Sequence, residues 1–177
     1  YSTPVGYFAF IWRLALTTGT GSIFGFLVAR QGYDAAIMAP MFIVMSFAFG
    51  LAIFMLVLMT IYRDGKRELG DVMLLRLKYL LGIFVAGVFY FVVVQHLTNL
   101  YATEHHGVES FILRDGGIYT VLFWFGQIYL GTIMPLALIY YPKFKTHRTA
   151  IATAAALVVV GGLIQIYVIV IGGQAYP

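Results

Sequence analysis

A few polar side chains stand inside stretches of sequence that are otherwise almost wholly apolar, and they are the residues able to do chemistry. His96 follows Gln95 and precedes Thr98, Asn99 and Thr103. Asn99, three residues on, shares the His96 face if the segment is helical. An imidazole near a membrane edge can donate to a quinone carbonyl or hand a proton outward. The plainer alternative is a histidine bonded to a neighbouring helix. Gln127 and Gln165 lie in two further apolar runs, near Trp124, Tyr129 and Tyr167. Such amides glue helices together, or line a polar cavity or proton path. Arg13 interrupts the first apolar run. It either snorkels to the nearer surface or pairs with a quinone-site group or a partner.

A second group is denser. Glu104-His105-His106 is followed by Glu109, Arg114 and Asp115. Adjacent histidines with a glutamate three residues on do not reproduce the HExxH or HxxEH spacing, so no metal site is assigned. Glu109 with Phe111, Ile112 and Leu113 suggests a short amphipathic segment at a membrane interface. His105, His106, Glu109, Arg114 and Asp115 are therefore candidates for docking a partner subunit, and Glu104 joins His96 as a proton-path candidate. A bis-histidine haem needs two axial imidazoles on helices. Only His96 falls within an apolar run, because His105, His106 and His147 lie between runs. With no cysteine in the chain, Cys-ligated iron–sulfur clusters, disulfides and thiol catalysis are excluded here. The sequence holds no activated-serine motif and no phosphate loop. The Gly19-Thr20-Gly21 stretch with Gly25 lacks the GxGxxG spacing of a dinucleotide loop.

The elements that must position these residues follow from composition. Of 177 residues, 62% are hydrophobic and 10% charged, against about 25% charged in soluble domains. That balance excludes an ordinary water-soluble domain and a disordered chain. Five apolar runs, about residues 5–29, 35–62, 79–101, 118–141 and 149–171, are each long enough to cross a bilayer as a helix. None alternates with period two, which argues against a transmembrane barrel. The expected fold is an all-α integral membrane bundle of about five helices, forming one domain over residues 1–177. The first run is the weakest, broken by Arg13 and by Thr17-Thr18-Gly19-Thr20-Gly21-Ser22. Gly21 and Gly25 form a GxxxG packing motif. Pro40 sits in the first turns of the second helix, Pro135 is expected to kink the fourth and free the Gly131 carbonyl, and Gly172-Gly173 is expected to cap the fifth.

Charge sets an orientation. The second-to-third connection carries Arg63, Lys66, Arg67, Arg76 and Lys78, and the fourth-to-fifth carries Lys143, Lys145 and Arg148. Eight of the 11 basic residues thus lie on one side, against Arg30 and Arg114 on the other. The positive-inside rule puts the basic side in the cytoplasm, so the first helix starts inside and Pro177 lies outside. The outer side collects Asp34, Glu104, His105, His106, Glu109 and Asp115.

Three stretches, in order, resemble a known family. Ala39-Pro40-Met41-Phe42-Ile43-Val44-Met45-Ser46 opens a helix; Phe123-Trp124-Phe125-Gly126-Gln127 is followed by Gly131 and Pro135; Ile166-Tyr167-Val168-Ile169-Val170-Ile171-Gly172-Gly173-Gln174 ends the last. Together they resemble the NrfD/PsrC-like family of polysulfide reductase membrane subunits. His96-Leu97-Thr98-Asn99-Leu100-Tyr101 and Asp115-Gly116-Gly117-Ile118-Tyr119 are most similar to the variant in sulfite-reductase-linked menaquinol complexes. The resemblance implies a quinone- or quinol-interacting subunit of a respiratory oxidoreductase in the bacterial or archaeal cytoplasmic membrane. Its implied substrate is menaquinone or ubiquinone, with no haem or cluster in this chain. The implied partners are a ferredoxin-like iron–sulfur subunit and further redox subunits, molybdopterin or multihaem cytochrome. Family members have eight to ten helices in two bundles, so these residues are expected to be the later part of a longer subunit. The family's main quinone ligands lie largely in the earlier part, and none is carried onto a residue here. The competing functions are a proton- or ion-conducting component without redox contact and a cytochrome b-type haem anchor.

Overall fold

The computed structural model describes residues 2–27, 33, 35–64, 70–144 and 147–176. Arg30, Asp34, Lys66, Arg67 and Lys145, used above to orient the chain, lie outside these residues. Helix α1 covers Ser2–Gly25, α2 Met38–Asp64 and α3 Asp71–Tyr101. A 3₁₀ turn, Thr103–His105, leads to a short helix α4, His106–Ser110, which continues as a π-bonded turn, Phe111–Asp115. Helix α5 runs Ile118–Tyr140 and α6 Arg148–Ala175. Among the described residues there is no strand, and α2, α3, α5 and α6 are long and apolar enough to cross a membrane. The all-α polytopic fold is therefore as expected. α1 is helical over 24 residues but is not one of those four, because Arg13 and its run of Thr, Gly and Ser dilute its apolar character.

Periodicity explains the packing. On α2 the buried residues are Met38, Met41, Met45, Ala48, Ala52 and Met55, in steps of three and four. On α3 they are Leu74, Lys78, Leu81, Val85, Val88, Val92, Gln95 and Asn99, in the same rhythm. A 3–4 spacing keeps one stripe facing a neighbouring helix that crosses at a shallow angle. α2 packs on α1, α3 and α6, and α5 on α6. The outward faces carry Ile53, Phe54, Val57, Ile83, Tyr90 and Leu163, all exposed, as a lipid-facing surface requires.

Close approaches fall where side chains are smallest. A Cβ on Gly21 would lie 2.7 Å from Ala39 Cα, and one on Gly25 would lie 3.0 Å from the Ala35 carbonyl oxygen. The GxxxG pair thus seats α1 on the start of α2. In the α5–α6 seam, a Cβ on Gly131 would lie 2.7 Å from Gly161 Cα.

Several details depart from the sequence-based expectation. α3 begins at Asp71, so Arg76 and Lys78 lie on the helix and not in a connection. The acidic Asp71 at its first turn favours that start through the helix dipole. Lys78 is fully buried, its Nζ donating to the Phe144 carbonyl at 3.2 Å, so it is not one of the surface charges of the basic end. Pro135 closes a π-bonded stretch, Leu122–Ile133, whose end is marked by Met134 N–H donating to the Tyr129 carbonyl. α6 does not stop at a glycine cap. It continues through Gly172 and Gly173 to Ala175, and these glycines make room for aromatic rings. A Cβ on Gly173 would lie 2.8 Å from the Tyr33 ring, and Tyr33 Oη donates to the Val170 carbonyl. Among the described residues only Gly117, with φ of 57°, uses the left-handed freedom of glycine, at the turn that starts α5.

Candidate functional site

The buried stripe of α3 turns polar near its end. Leu81, Val85, Val88 and Val92 give way to Gln95 and Asn99, still facing inward. His96 sits beside that stripe with its side chain 17% exposed. The segment after α3 folds back beneath it, burying Val108, Glu109 and Ile112. Glu109 is 1% exposed, and it is the residue around which the site is built.

Both carboxylate oxygens of Glu109 are engaged. Asn99 Nδ2 donates to Oε1 at 2.7 Å, and His96 Nδ1 lies 2.7 Å from Oε2. A carboxylate only accepts, so His96 holds a hydrogen on Nδ1; if the carboxyl is protonated, the roles exchange. Either way the pair keeps a proton between an imidazole and a carboxyl group. Phe123 of α5 packs edge-on against the His96 ring at 4.7 Å between centroids. A buried acid without such partners would be strongly disfavoured.

Below this cluster lie Gln127 of α5 and Gln165 of α6, 4% and 3% exposed. Gln127 Oε1 and Gln165 Nε2 are buried with no protein hydrogen-bond partner. Both glutamines line two small cavities. One, about 20 Å³, is also bounded by Gln95, His96, Asn99 and Glu109. The other, about 10 Å³, reaches Thr132, Gly131 and Gly161. The first has room for about one water molecule. Drug-sized ligands need about 300–1,000 Å³, so neither cavity admits a quinone ring. The π-bonded stretch of α5 turns its backbone into the same line: Thr132 Oγ1 donates to the Gln127 carbonyl at 3.1 Å. The result is a polar column of His96, Glu109, Asn99, Gln95, Gln127, Gln165 and Thr132 along the bundle interior, suited to holding or relaying protons through small polar groups.

The candidates divided by sequence are thus redistributed. His96, Asn99, Gln127 and Gln165 come together. Glu109, expected on a docking face, is buried among them, because the segment from His106 folds inward and Val108 and Ile112 anchor it. Glu104, expected on the proton path, is exposed on the 3₁₀ turn and stands apart. Arg114 and Asp115 are exposed and His105 half-buried at the same end, so these three stay at the surface where a partner could meet them. His106 is exposed, with Nε2 against the Leu100 carbonyl, which closes the turn after α3. Arg13 is exposed on α1, in a groove against α2. Sequence reasoning passed over Gln95 and Thr132. Continuing the 3–4 stripe of α3 beyond Val92 would have found Gln95, whereas Thr132 depends on the π register and carried no signal.

Comparison with known proteins joins this geometry to a family. The family described as Polysulphide reductase, NrfD matches residues 1–177. The chain belongs to the NrfD family. Among curated relatives, this NrfD-family chain is 26% identical over 171 residues to the "Hdr-like menaquinol oxidoreductase integral membrane subunit" of Archaeoglobus fulgidus, covering 96% of the chain and 43% of that protein. It is 30% identical over 159 residues to a selenate reductase subunit of Mesobacillus selenatarsenatis, covering 90% and 36%. It is 31% identical over 157 residues to a protein of Halobacterium salinarum named as a "Putative dimethyl sulfoxide reductase membrane subunit", covering 86% and 35%. The chain therefore spans less than half the length of these relatives. No solved structure matches it. The relatives it resembles carry names of subunits: one of a menaquinol oxidoreductase, two of reductases.

Proposed function

We propose that this NrfD-family chain serves a respiratory complex that exchanges electrons between the quinone pool and an iron–sulfur partner subunit, and that its interior polar column handles the accompanying protons. The observation that carries the second part is the buried His96–Glu109–Asn99 cluster set above two glutamines with unmatched polar atoms and water-sized cavities. A quinol releases two protons with its two electrons. Those protons need titratable acceptors near the membrane edge and a polar route from them. His96 and Glu109 supply the acceptors, and Gln127, Gln165 and Thr132 line the route.

The relatives' names support the quinone link: one is a menaquinol oxidoreductase subunit and two are named as subunits of reductases. Menaquinone is the favoured substrate on that ground. In this reading the basic end, with Lys143 and Arg148, faces the cytoplasm, and the end bearing Glu104, His105, Arg114 and Asp115 faces outward and meets the redox partner. A proton- or ion-conducting role without redox contact rests on the same column and is the second reading.

The test uses the intact complex purified from its membrane. Addition of a reduced menaquinol analogue should reduce the partner's clusters, seen in their electron paramagnetic resonance signal. Clusters that stay oxidised with menaquinol, yet reduce with dithionite, would reject the quinone link and leave the conducting role.

A further inference from the structure

We propose that the amides of Gln127 and Gln165 hold one bound water molecule beneath Glu109, and that this water reorients to match either protonation state of the His96–Glu109 pair. This rests on the proton-handling reading above and names the molecule that the site takes.

The two glutamines have complementary needs. Gln127 Oε1 is an acceptor and Gln165 Nε2 a donor, and neither has a hydrogen-bond partner among the described residues. The residues are 4% and 3% exposed, so bulk solvent does not supply one. Both line the cavity of about 20 Å³ whose wall also holds Glu109, His96, Asn99 and Gln95. A sodium ion there would satisfy Oε1 but set a positive charge against the Gln165 N–H hydrogens. An anion would satisfy Nε2 but face Oε1 and the Glu109 carboxyl group. A small neutral molecule that both donates and accepts matches both atoms, and the volume limits it to the size of one water. The adjoining cavity, about 10 Å³, lies at the lower limit for a water. Beyond it the interior is apolar, with Val85, Leu81, Met55, Val158 and Ala155 each at most 3% exposed. The water is therefore held where the polar wall ends.

Hydrogen-bond counting gives the water its role. Accepting from Gln165 Nε2 and donating to Gln127 Oε1 uses one of its lone pairs and one of its hydrogens. One hydrogen and one lone pair remain. A cavity this small keeps its occupant within reach of the whole wall, and His96 and Glu109 are the titratable groups on that wall. As a carboxylate, Glu109 accepts from Asn99 at 2.7 Å and meets His96 at 2.7 Å, and its oxygens keep lone pairs free to accept from the water. When the carboxyl group gains a proton, the water turns its own lone pair toward it. Asn99 Nδ2 cannot make that exchange, because an amide nitrogen only donates. The water thus keeps the pair matched as a proton arrives and leaves.

The test is a high-resolution cryo-electron microscopy map of the intact complex, joined to infrared difference spectra recorded between acid and alkaline pH. A density peak should lie within about 3.2 Å of both Gln127 Oε1 and Gln165 Nε2, and Gln127→Leu and Gln165→Leu should each abolish it. The carboxyl band that Glu109→Gln removes should titrate together with a water O–H band that shifts in heavy-oxygen water. Both leucine variants should lose that water band. A cavity without density, direct bonding of the two amides to each other, or a peak that intensifies when sodium is exchanged for thallium would overturn the site. A peak in the map without a water band coupled to Glu109 would overturn the reorientation. The proton-handling reading is judged separately by menaquinol-linked turnover of Glu109→Gln: an unchanged rate rejects it whatever the map shows.

Discussion

His96 Nδ1 of α3 meets Glu109 Oε2, 13 residues later in the chain, at 2.7 Å, and the carboxylate is 1% exposed. The contact joins the end of a membrane-spanning helix to the short segment that follows it. The carboxyl group is thereby held out of bulk water, against an imidazole that keeps partial exposure. Removing one partner leaves the other buried and poorly matched. His96→Leu should destabilise the subunit by about 3 kcal/mol, in the range for breaking a buried pair. The double variant His96→Leu/Glu109→Leu should recover much of that loss. Thermal unfolding in detergent, analysed as a double-mutant cycle, checks it. Additive losses would show that the two side chains do not act as a pair.

Gln127 and Gln165 make a separate prediction. Their unmatched Oε1 and Nε2 atoms contribute little to stability, since a buried polar atom without a partner is costly. Gln165→Leu should leave the melting temperature unchanged or slightly raised. It should slow quinol-linked turnover and change its solvent deuterium isotope effect, because the leucine blocks the cavity beside Glu109. A variant that melts several degrees lower with an unaltered isotope effect would make Gln165 a packing residue only.

The α5–α6 seam depends on backbone contact. Gly131 and Gly161 leave no room for a Cβ on either side. Gly161→Ala should cost about 1–3 kcal/mol, the usual penalty for overpacking, and open the cavity that Thr132 and Gln127 share. Gly50→Ala, where nothing lies within 4 Å of the added methyl, is the control and should be silent. Helix content followed on heating compares the two.

Orientation is accessible because the chain has no cysteine. Single cysteines at Asp115 and at Lys143 should differ in reaction with a membrane-impermeant maleimide. In intact spheroplasts Asp115→Cys should label and Lys143→Cys should label only after lysis. The reverse pattern would invert the assignment made from the basic end.

The four long helices and the fold class were legible because 20-residue apolar runs state themselves, and Gly21 with Gly25 announced a close contact that α1 and α2 make. Parts of the site were legible as well: His96, Asn99, Gln127 and Gln165 stood out as polar residues in apolar company. What the sequence concealed depends on chain reversal and register. Glu109 lies in a polar, charged stretch and reads as surface until that stretch folds under α3. Lys78 reads as a loop cation because the apolar run begins at Tyr79, although the 3–4 stripe through Leu74 and Leu81 already includes it. Pro135 suggested a kink, and the π-bonded stretch Leu122–Ile133 that precedes it had no local signal in the sequence.

The most direct measurement compares menaquinol-linked turnover of the intact complex with Glu109 and with Glu109→Gln. Glutamine keeps the shape and can still accept from Asn99, but it holds no exchangeable acid proton. The quinol-linked rate should fall about 100-fold, the scale of a lost acid–base group, while turnover with an artificial electron donor is unchanged. Equal quinol-linked rates in the two proteins would contradict a proton-handling role for the His96–Glu109 pair.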